Sequence, residues 1–265
     1  MVRLEGLGLE YATPGGRVSA FADVDAELHR GAIVAFVGPS GCGKTSVVRV
    51  VAGLREPTAG RLRFGDDRGG GHGDGGSGSG GTRARTAVIF QDFGLLPWKT
   101  VAANVELPLL IAGLRPRERR ARAAPIIAEL GLADFSRFFP ARLSGGMRQR
   151  VALARALVQD PEFLLMDEPF SSLDALTRES MQETLLELQR RRGTTVLLVT
   201  HSIEEAAYLA DSVYVMCGRN PGRVVARIDA PETPGGTRAG LPSFRTEPGF
   251  LEYMNAIRGA LEAAT

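Results

Sequence analysis

The chain has 265 residues, 44% hydrophobic and 23% charged, a balance that excludes wholesale disorder and fibrous repeats and leaves room for one large domain or two modest ones. Thirty-two basic residues against 30 acidic ones give a formal charge of +2, too even for a chain built to neutralise a nucleic-acid backbone, so no nucleic-acid partner is expected. Thirty of the basic residues are arginines, and the two lysines, Lys44 and Lys99, stand out for their rarity.

Cys42 and Cys217 fit neither a disulfide framework nor a metal-binding spacing, as expected in a reducing cytoplasm. No apolar run approaches the roughly 18 residues of a spanning helix, and the N-terminus lacks a signal peptide's apolar stretch. Work at a membrane would need a separate anchor.

The first clear strand pattern is the apolar run 33–37, which leads through a glycine-rich loop into a helical pattern at 47–52. Residues 65–81 read GDDRGGGHGDGGSGSGG, a composition that cannot repay ordering and predicts a flexible insert over about 65–83. Its overlapping G-x-G-x-x-G matches open no helix, and His72 within it has no ligand partners nearby, so neither receives a role. A second strand pattern covers 87–90. From about 92 to 160 the pattern turns helical and strand-poor, clearest at 118–130 and 147–158, and predicts a helical subdomain inserted into the sheet. Strand, helix, strand and helix then follow at 163–166, 175–192, 196–199 and 203–210, which predicts an α/β fold with a mainly parallel sheet. After Ile228 the chain is rich in Pro, Gly and Thr and ends on PGFLEYMNAIRGAL, a helical pattern whose apolar stripe is expected to pack.

Three motifs carry chemistry. Residues 38–45, GPSGCGKT, complete the pattern G-x-x-x-x-G-K-[ST] between a strand and a helix, where converging N–H groups cradle phosphate, Lys44 neutralises charge and the Thr45 hydroxyl ligates Mg²⁺. Residues 162–169, EFLLMDEP, run a strand into two carboxylates at the sheet's ligand-binding edge, where Asp167 can hold Mg²⁺ through water and Glu168 can polarise an attacking water. Solvated acids at a strand end would look the same in isolation; the phosphate loop favours the catalytic reading. In LSGGMRQR, residues 143–150, Ser144 reads as an N-cap, and Gly145 and Gly146 offer N–H groups for a second anion site at a helix N-terminus, though a plain helix cap also fits.

With SSLD at 171–174 and His201 in LLVTHS, these motifs stand in the order and approximate spacing of the nucleotide-binding subunit of ATP-binding cassette (ABC) transporters, which the chain resembles over about residues 2–228. The stretch LLPW and the run NPGRVVARIDAP at 220–231 are similar to the nitrate, sulfonate and taurine importer group.

The resemblance implies a P-loop NTPase fold: an ABC ATPase domain over 1–228 with a mainly parallel sheet, an antiparallel β part near the N-terminus, a helical subdomain at about 92–160, and a C-terminal tail over 229–265. It implies a head-to-tail homodimer binding two ATP molecules with Mg²⁺, each between one chain's phosphate loop (Gly38, Pro39, Ser40, Gly41, Cys42, Gly43, Lys44, Thr45, Ser46) and the other's Ser144, Gly145 and Gly146. Glu168 is then the general base, Gln91 contacts Mg²⁺ and the attacking water, His201 senses the γ-phosphate, Asp174 links the two sites and Tyr11 stacks on adenine. Tyr11 also reads as a sheet-edge aromatic. The segment 91–109 resembles the face that docks membrane permease subunits, with Leu95, Leu96, Pro97 and Trp98 as its apolar patch; Trp98 as subdomain core is the competing reading. The implied function is the ATP-hydrolysing subunit of a bacterial importer at the cytoplasmic face of the membrane, served indirectly by an extracytoplasmic solute-binding protein. The alternative is a soluble, non-transport ABC ATPase. The hydroxyl pair after Lys44 is Thr-Ser where the family usually has Ser-Thr or Thr-Thr; Thr45 keeps the ligating hydroxyl.

Overall fold

The computed structural model describes residues 1–65, 85–231 and 242–264. The glycine-rich stretch with His72 lies almost wholly outside these, as does part of the tail.

Strands β1 (Val2–Thr13) and β2 (Gly16–Leu28) form an antiparallel hairpin, and β4 (Ala59–Phe64) joins the other edge of β1 to complete a three-stranded sheet. The larger sheet has the order β5-β6-β7-β3-β8-β9, with β3 at Ile33–Val37, β5 at Thr86–Ile89, β6 at Phe163–Asp167, β7 at Thr195–Thr200, β8 at Ser212–Cys217 and β9 at Arg223–Asp229. All neighbours pair in parallel except β8 and β9. This is the mixed, mostly parallel sheet with an antiparallel N-terminal part that the sequence implies.

Burial explains the sequence of each strand. Strands β3, β6, β7 and β8 are buried along their whole length and read as near-continuous apolar runs, as strands covered on both faces must. The two-residue period of β3 sends Ile33, Ala35 and Val37 into one core and Val34 and Phe36 into the other. The first core packs under helices α5 (Gly145–Leu157), α6 (Ala175–Arg192), α7 (Ile203–Leu209) and α8 (Pro248–Ala263); the second lies between the two sheets and includes α1 (Lys44–Val51). The sheets are tied directly, because the Glu27 N–H donates to the Tyr214 hydroxyl at 2.9 Å and the Ala22 N–H to the Gly222 carbonyl at 3.0 Å.

No strand occurs among residues 91–162, where α2 (Val101–Val105), α3 (Leu107–Ile111) and α4 (Pro116–Glu129) precede α5. Each longer helix has a sequence-encoded start. Pro116 sits in the first turn of α4 while the Glu118 carboxylate accepts the Arg115 N–H at 3.1 Å; Asp174 caps α6, which stops at Gly193 with φ 63°. Helix α8 buries Phe250, Tyr253 and Ile257, so the apolar stripe of the tail is packed as expected.

Candidate functional site

The strand order β6-β7-β3 decides which loops meet. Val37 pairs with Thr200 and Asp167 with Val199, so the phosphate loop, the Asp167–Glu168 pair and His201 all leave the sheet at the carboxyl ends of adjacent strands, where open α/β sheets bind ligands. Gln91, two residues past the end of β5, emerges beside them, exposed.

The loop at 38–43 bends β3 into α1. Gly43 has φ 96° and a Cβ there would stand 2.6 Å from the Ala20 carbonyl, so no other residue fits without moving β2. Gly43 also supplies no side-chain cap, which leaves the first-turn N–H groups of α1 available to an anion. Lys44 is buried; its ammonium donates to the Gly38 and Pro39 carbonyls at 2.8 Å each and lies 3.7 Å from Cys42 Sγ. Pro39, Ser40 and Gly41 form the exposed rim. Tyr11 is half-buried, its hydroxyl 3.1 Å from Ser46 Oγ and the Arg55 guanidinium 5.7 Å from its ring centre, beside an open cavity lined by Leu9, Leu54 and Glu56.

The Thr45 hydroxyl donates to Asp167 Oδ1 at 3.0 Å. Burial pushes the Asp167 carboxyl up, against the pull of that hydrogen bond. These two hard oxygens suit Mg²⁺, which typically takes one or two protein oxygens plus substrate phosphates rather than a full protein cage. Among the described residues no cluster of three or more His, Cys, Asp or Glu side chains is placed to hold a metal ion.

Glu168 carries a left-handed backbone, φ 47°, held by its N–H to the Val199 carbonyl at 2.8 Å and by the Ser171 hydroxyl on its own carbonyl at 2.9 Å. Its Oε2 lies 3.1 Å from His201 Nδ1. An ionised carboxylate only accepts, so Nδ1 is then the donor, and Nε2 can donate to a phosphate oxygen only if it is protonated as well.

The signature residues form a second cluster. Ser144 caps α5 by accepting the Met147 N–H at 3.2 Å. Gly146 is buried rather than open, because a Cβ would collide with the Thr177 side chain; this packs the start of α5 on the first turn of α6. Asp174 caps that turn, accepting the Thr177 N–H at 3.0 Å, which holds its exposed carboxyl below the usual range. Among the described residues, no hydrogen bond or ion pair joins Ser144, Gly145 or Gly146 to the phosphate loop. The phosphate loop and the signature residues are thus two separate clusters of one chain.

Residues 21–171 match the family profile described as ABC transporter. The chain belongs to the ABC transporter family. It is 43% identical over 228 residues to the taurine import ATP-binding protein of Yersinia pestis bv. Antiqua, covering 86% of this chain and 84% of that one. The taurine import ATP-binding protein of Rhizobium johnstonii is 40% identical over 273 aligned residues, 99% of this chain and 97% of the other. Among solved structures, a dimeric bacterial ABC transporter cassette superposes with a TM-score of 0.72 at 29% identity, covering 88% of this chain and all of the other. A post-hydrolysis state of that cassette bound to ADP and Pi matches equally well. The ABC fold expected from the motifs is thus the fold observed.

Sequence reasoning passed over the residues that brace the loop after Gln91. Asn104 is fully buried, accepts the Leu96 N–H at 2.8 Å and donates to the carbonyls of Leu96, Lys99 and Thr100 at 3.0–3.1 Å. From the other side the Arg155 guanidinium grips the Phe93 and Gly94 carbonyls, each at 2.5 Å. A buried Asn in an apolar helix and an Arg in VALARAL are the signals that could have found them. Asn104→Ala would leave the half-buried Leu96 N–H and Lys99 carbonyl without a partner, at about 1–3 kcal/mol each, so a drop of about 2–3 kcal/mol is expected in urea denaturation.

Proposed function

We propose that this chain is the ATP-binding and ATP-hydrolysing subunit of an ABC importer for a small solute of the nitrate, sulfonate or taurine class, acting as a head-to-tail homodimer beneath a separate permease. The observation that carries the reading is the Glu168–His201 pair set beside Thr45–Asp167 at one sheet edge, with the signature residues in a second cluster of the same chain. Taurine-like cargo is supported by the relatives' names and by nothing in the chain's own chemistry, because an ABC cassette works on nucleotide. The soluble, non-transport alternative draws no support from these relatives.

In this reading the α1 N-terminus and Lys44 hold the phosphates, Tyr11 stacks on the base, and Thr45 and Asp167, with Gln91, hold Mg²⁺. Bound there, Mg²⁺ supplies charge neutralisation at the phosphate oxygens. Glu168 takes the proton of the attacking water, and His201 meets the γ-phosphate. Dimer closure brings Ser144, Gly145 and Gly146 of one subunit to the phosphate loop of the other, so most of the rate comes from positioning and electrostatics.

The permease would dock on the braced loop. Trp98 is 70% exposed and Pro97 is exposed, which supports docking over the subdomain-core reading, whereas Leu95 packs against the core and Leu96 is half-buried, so the expected patch narrows to Pro97 and Trp98; Leu110 and Ile111 are exposed on α3. Among the described residues no helix is long and apolar enough to cross a membrane. Tagging the chain, solubilising membranes in mild detergent and identifying the co-purifying proteins by mass spectrometry tests this. A multi-span permease is expected, and Trp98→Ala should lose it while binding ATP normally. A clean soluble dimer would favour the non-transport alternative.

A further inference from the structure

Two acids open α7, and they differ in kind. The Glu204 side chain is 62% exposed, whereas that of Glu205 is 6% exposed. Glu205 Oε2 accepts the Thr200 hydroxyl at 2.6 Å, and that same hydroxyl oxygen accepts the Ser202 N–H at 3.0 Å. The residues on both sides of His201 are therefore held by one carboxylate oxygen. The second oxygen, Oε1, lies 3.7 Å from Arg178 Nε on α6. Arg178 Nη2 in turn donates to the Leu173 carbonyl at 2.9 Å, in the turn that ends at Asp174. Two side chains thus span the whole distance from the His201 loop to the Asp174 turn.

Burial pushes the Glu205 carboxyl up, with the Thr200 hydrogen bond and the Arg178 charge opposing it. An apolar side chain would fill the space without that electrostatic cost, so the acid is held for what it positions. Arg178 Nε is buried and has no hydrogen-bond partner among the described residues. Its separation from Glu205 is about 0.7 Å longer than an ordinary hydrogen bond, so a small approach of α6 to α7 would close the missing link.

We propose that Glu205 and Arg178 are positioning residues for ATP hydrolysis: they tie the His201 loop to the Asp174 turn, so that the place of the imidazole depends on the α6 end that carries Asp174. The proposal rests on the roles given above to His201 and Glu168. Neither Glu205 nor Arg178 need touch nucleotide; each acts through the loop it holds.

The test compares Glu205→Gln, Arg178→Met, His201→Ala and the double variant Glu205→Gln/His201→Ala in the full-length chain. ATP affinity comes from calorimetric titration, folding from the melting temperature, and turnover from phosphate release at saturating ATP. Glu205→Gln keeps the side chain's shape and its acceptor for Thr200 but removes the charge facing Arg178. Expected are native ATP affinity within about twofold, a native melting temperature, and at least a tenfold lower kcat for both single variants at the pair. In the double variant Glu205→Gln should add nothing to the loss caused by His201→Ala, which a general loss of packing would not reproduce. Native kcat in both Glu205→Gln and Arg178→Met, beside a His201→Ala variant that has lost turnover, overturns the proposal and leaves the role of His201 standing. Full turnover in His201→Ala removes the role of His201 and the proposal with it. Losses that multiply in the double variant, or that track a weakened ATP affinity, also overturn it.

Discussion

Glu168→Gln is expected to bind ATP as tightly as the native chain and to hydrolyse it at least ~10²-fold more slowly, the usual scale for removing a positioned general base. The amide keeps the size of the carboxylate and can still pair with His201 Nδ1, now 3.1 Å from Oε2, but it cannot take a proton from water. The contacts expected to set affinity lie elsewhere, in Lys44 and the first turn of α1, so the Kd should not follow kcat. The backbone points the same way. A left-handed conformation at a residue other than glycine costs about 1–3 kcal/mol, and here it is kept at the end of a fully buried strand, clamped by Val199 and Ser171. Asp23 and Asp160 share this conformation, and Glu168 alone of the three acids joins it to a contact with His201 at the carboxyl ends of the sheet's strands. With hydrolysis blocked, the closed dimer should accumulate, so size-exclusion chromatography in ATP should show a dimer that the native chain forms only transiently. Turnover unchanged by the substitution would remove Glu168 from the mechanism.

How much of this was legible in the sequence depended on whether the signal was local. Helix α6 begins and ends where expected, because Asp174 and Gly193 mark both ends in the chain itself. Helix α1 starts at Lys44, three residues before its apolar period shows, since its first turn is spent on the phosphate loop. Helix α5 likewise starts at Gly145: glycine is a poor helix former, and the cap at Ser144 outweighs it. Strand β8 follows α7 after only Ala210 and Asp211, too short a break to announce a new element beyond the helix expected over 203–210. In β1 the register shifts between Leu4, Leu7, Leu9 and Glu10 break the two-residue alternation that would have announced a strand. At the site, residue types and spacing point to the phosphate loop, Asp167 and Glu168, and the family resemblance points to His201. They did not pair Glu205 with Arg178 or Arg155 with Phe93, because those contacts arise only where separate helices and loops pack together.

Lys44→Ala should fail one step earlier, losing nucleotide affinity itself. The ammonium is held inside the loop by two carbonyls, so it is already desolvated and aimed where phosphate oxygens would replace those carbonyls as partners. Hydrogen bonds to charged groups contribute about 1.5–3 kcal/mol each, so losing one or two weakens ATP binding by at least about tenfold. Lys44→Arg should not restore it. The space between Gly38, Pro39 and Cys42 holds a compact ammonium, and a planar guanidinium is wider and cannot rotate its donors into the same positions. Calorimetric titration with ATP separates the two variants: Lys44→Ala loses Kd, whereas Glu168→Gln loses kcat alone. The melting temperature guards the comparison, since removing one ammonium from a loop that Gly43 already fixes against β2 should leave the fold intact. Native ATP affinity in Lys44→Ala would mean that residues 38–45 are a structural turn, and the nucleotide site would have to be sought elsewhere on the sheet.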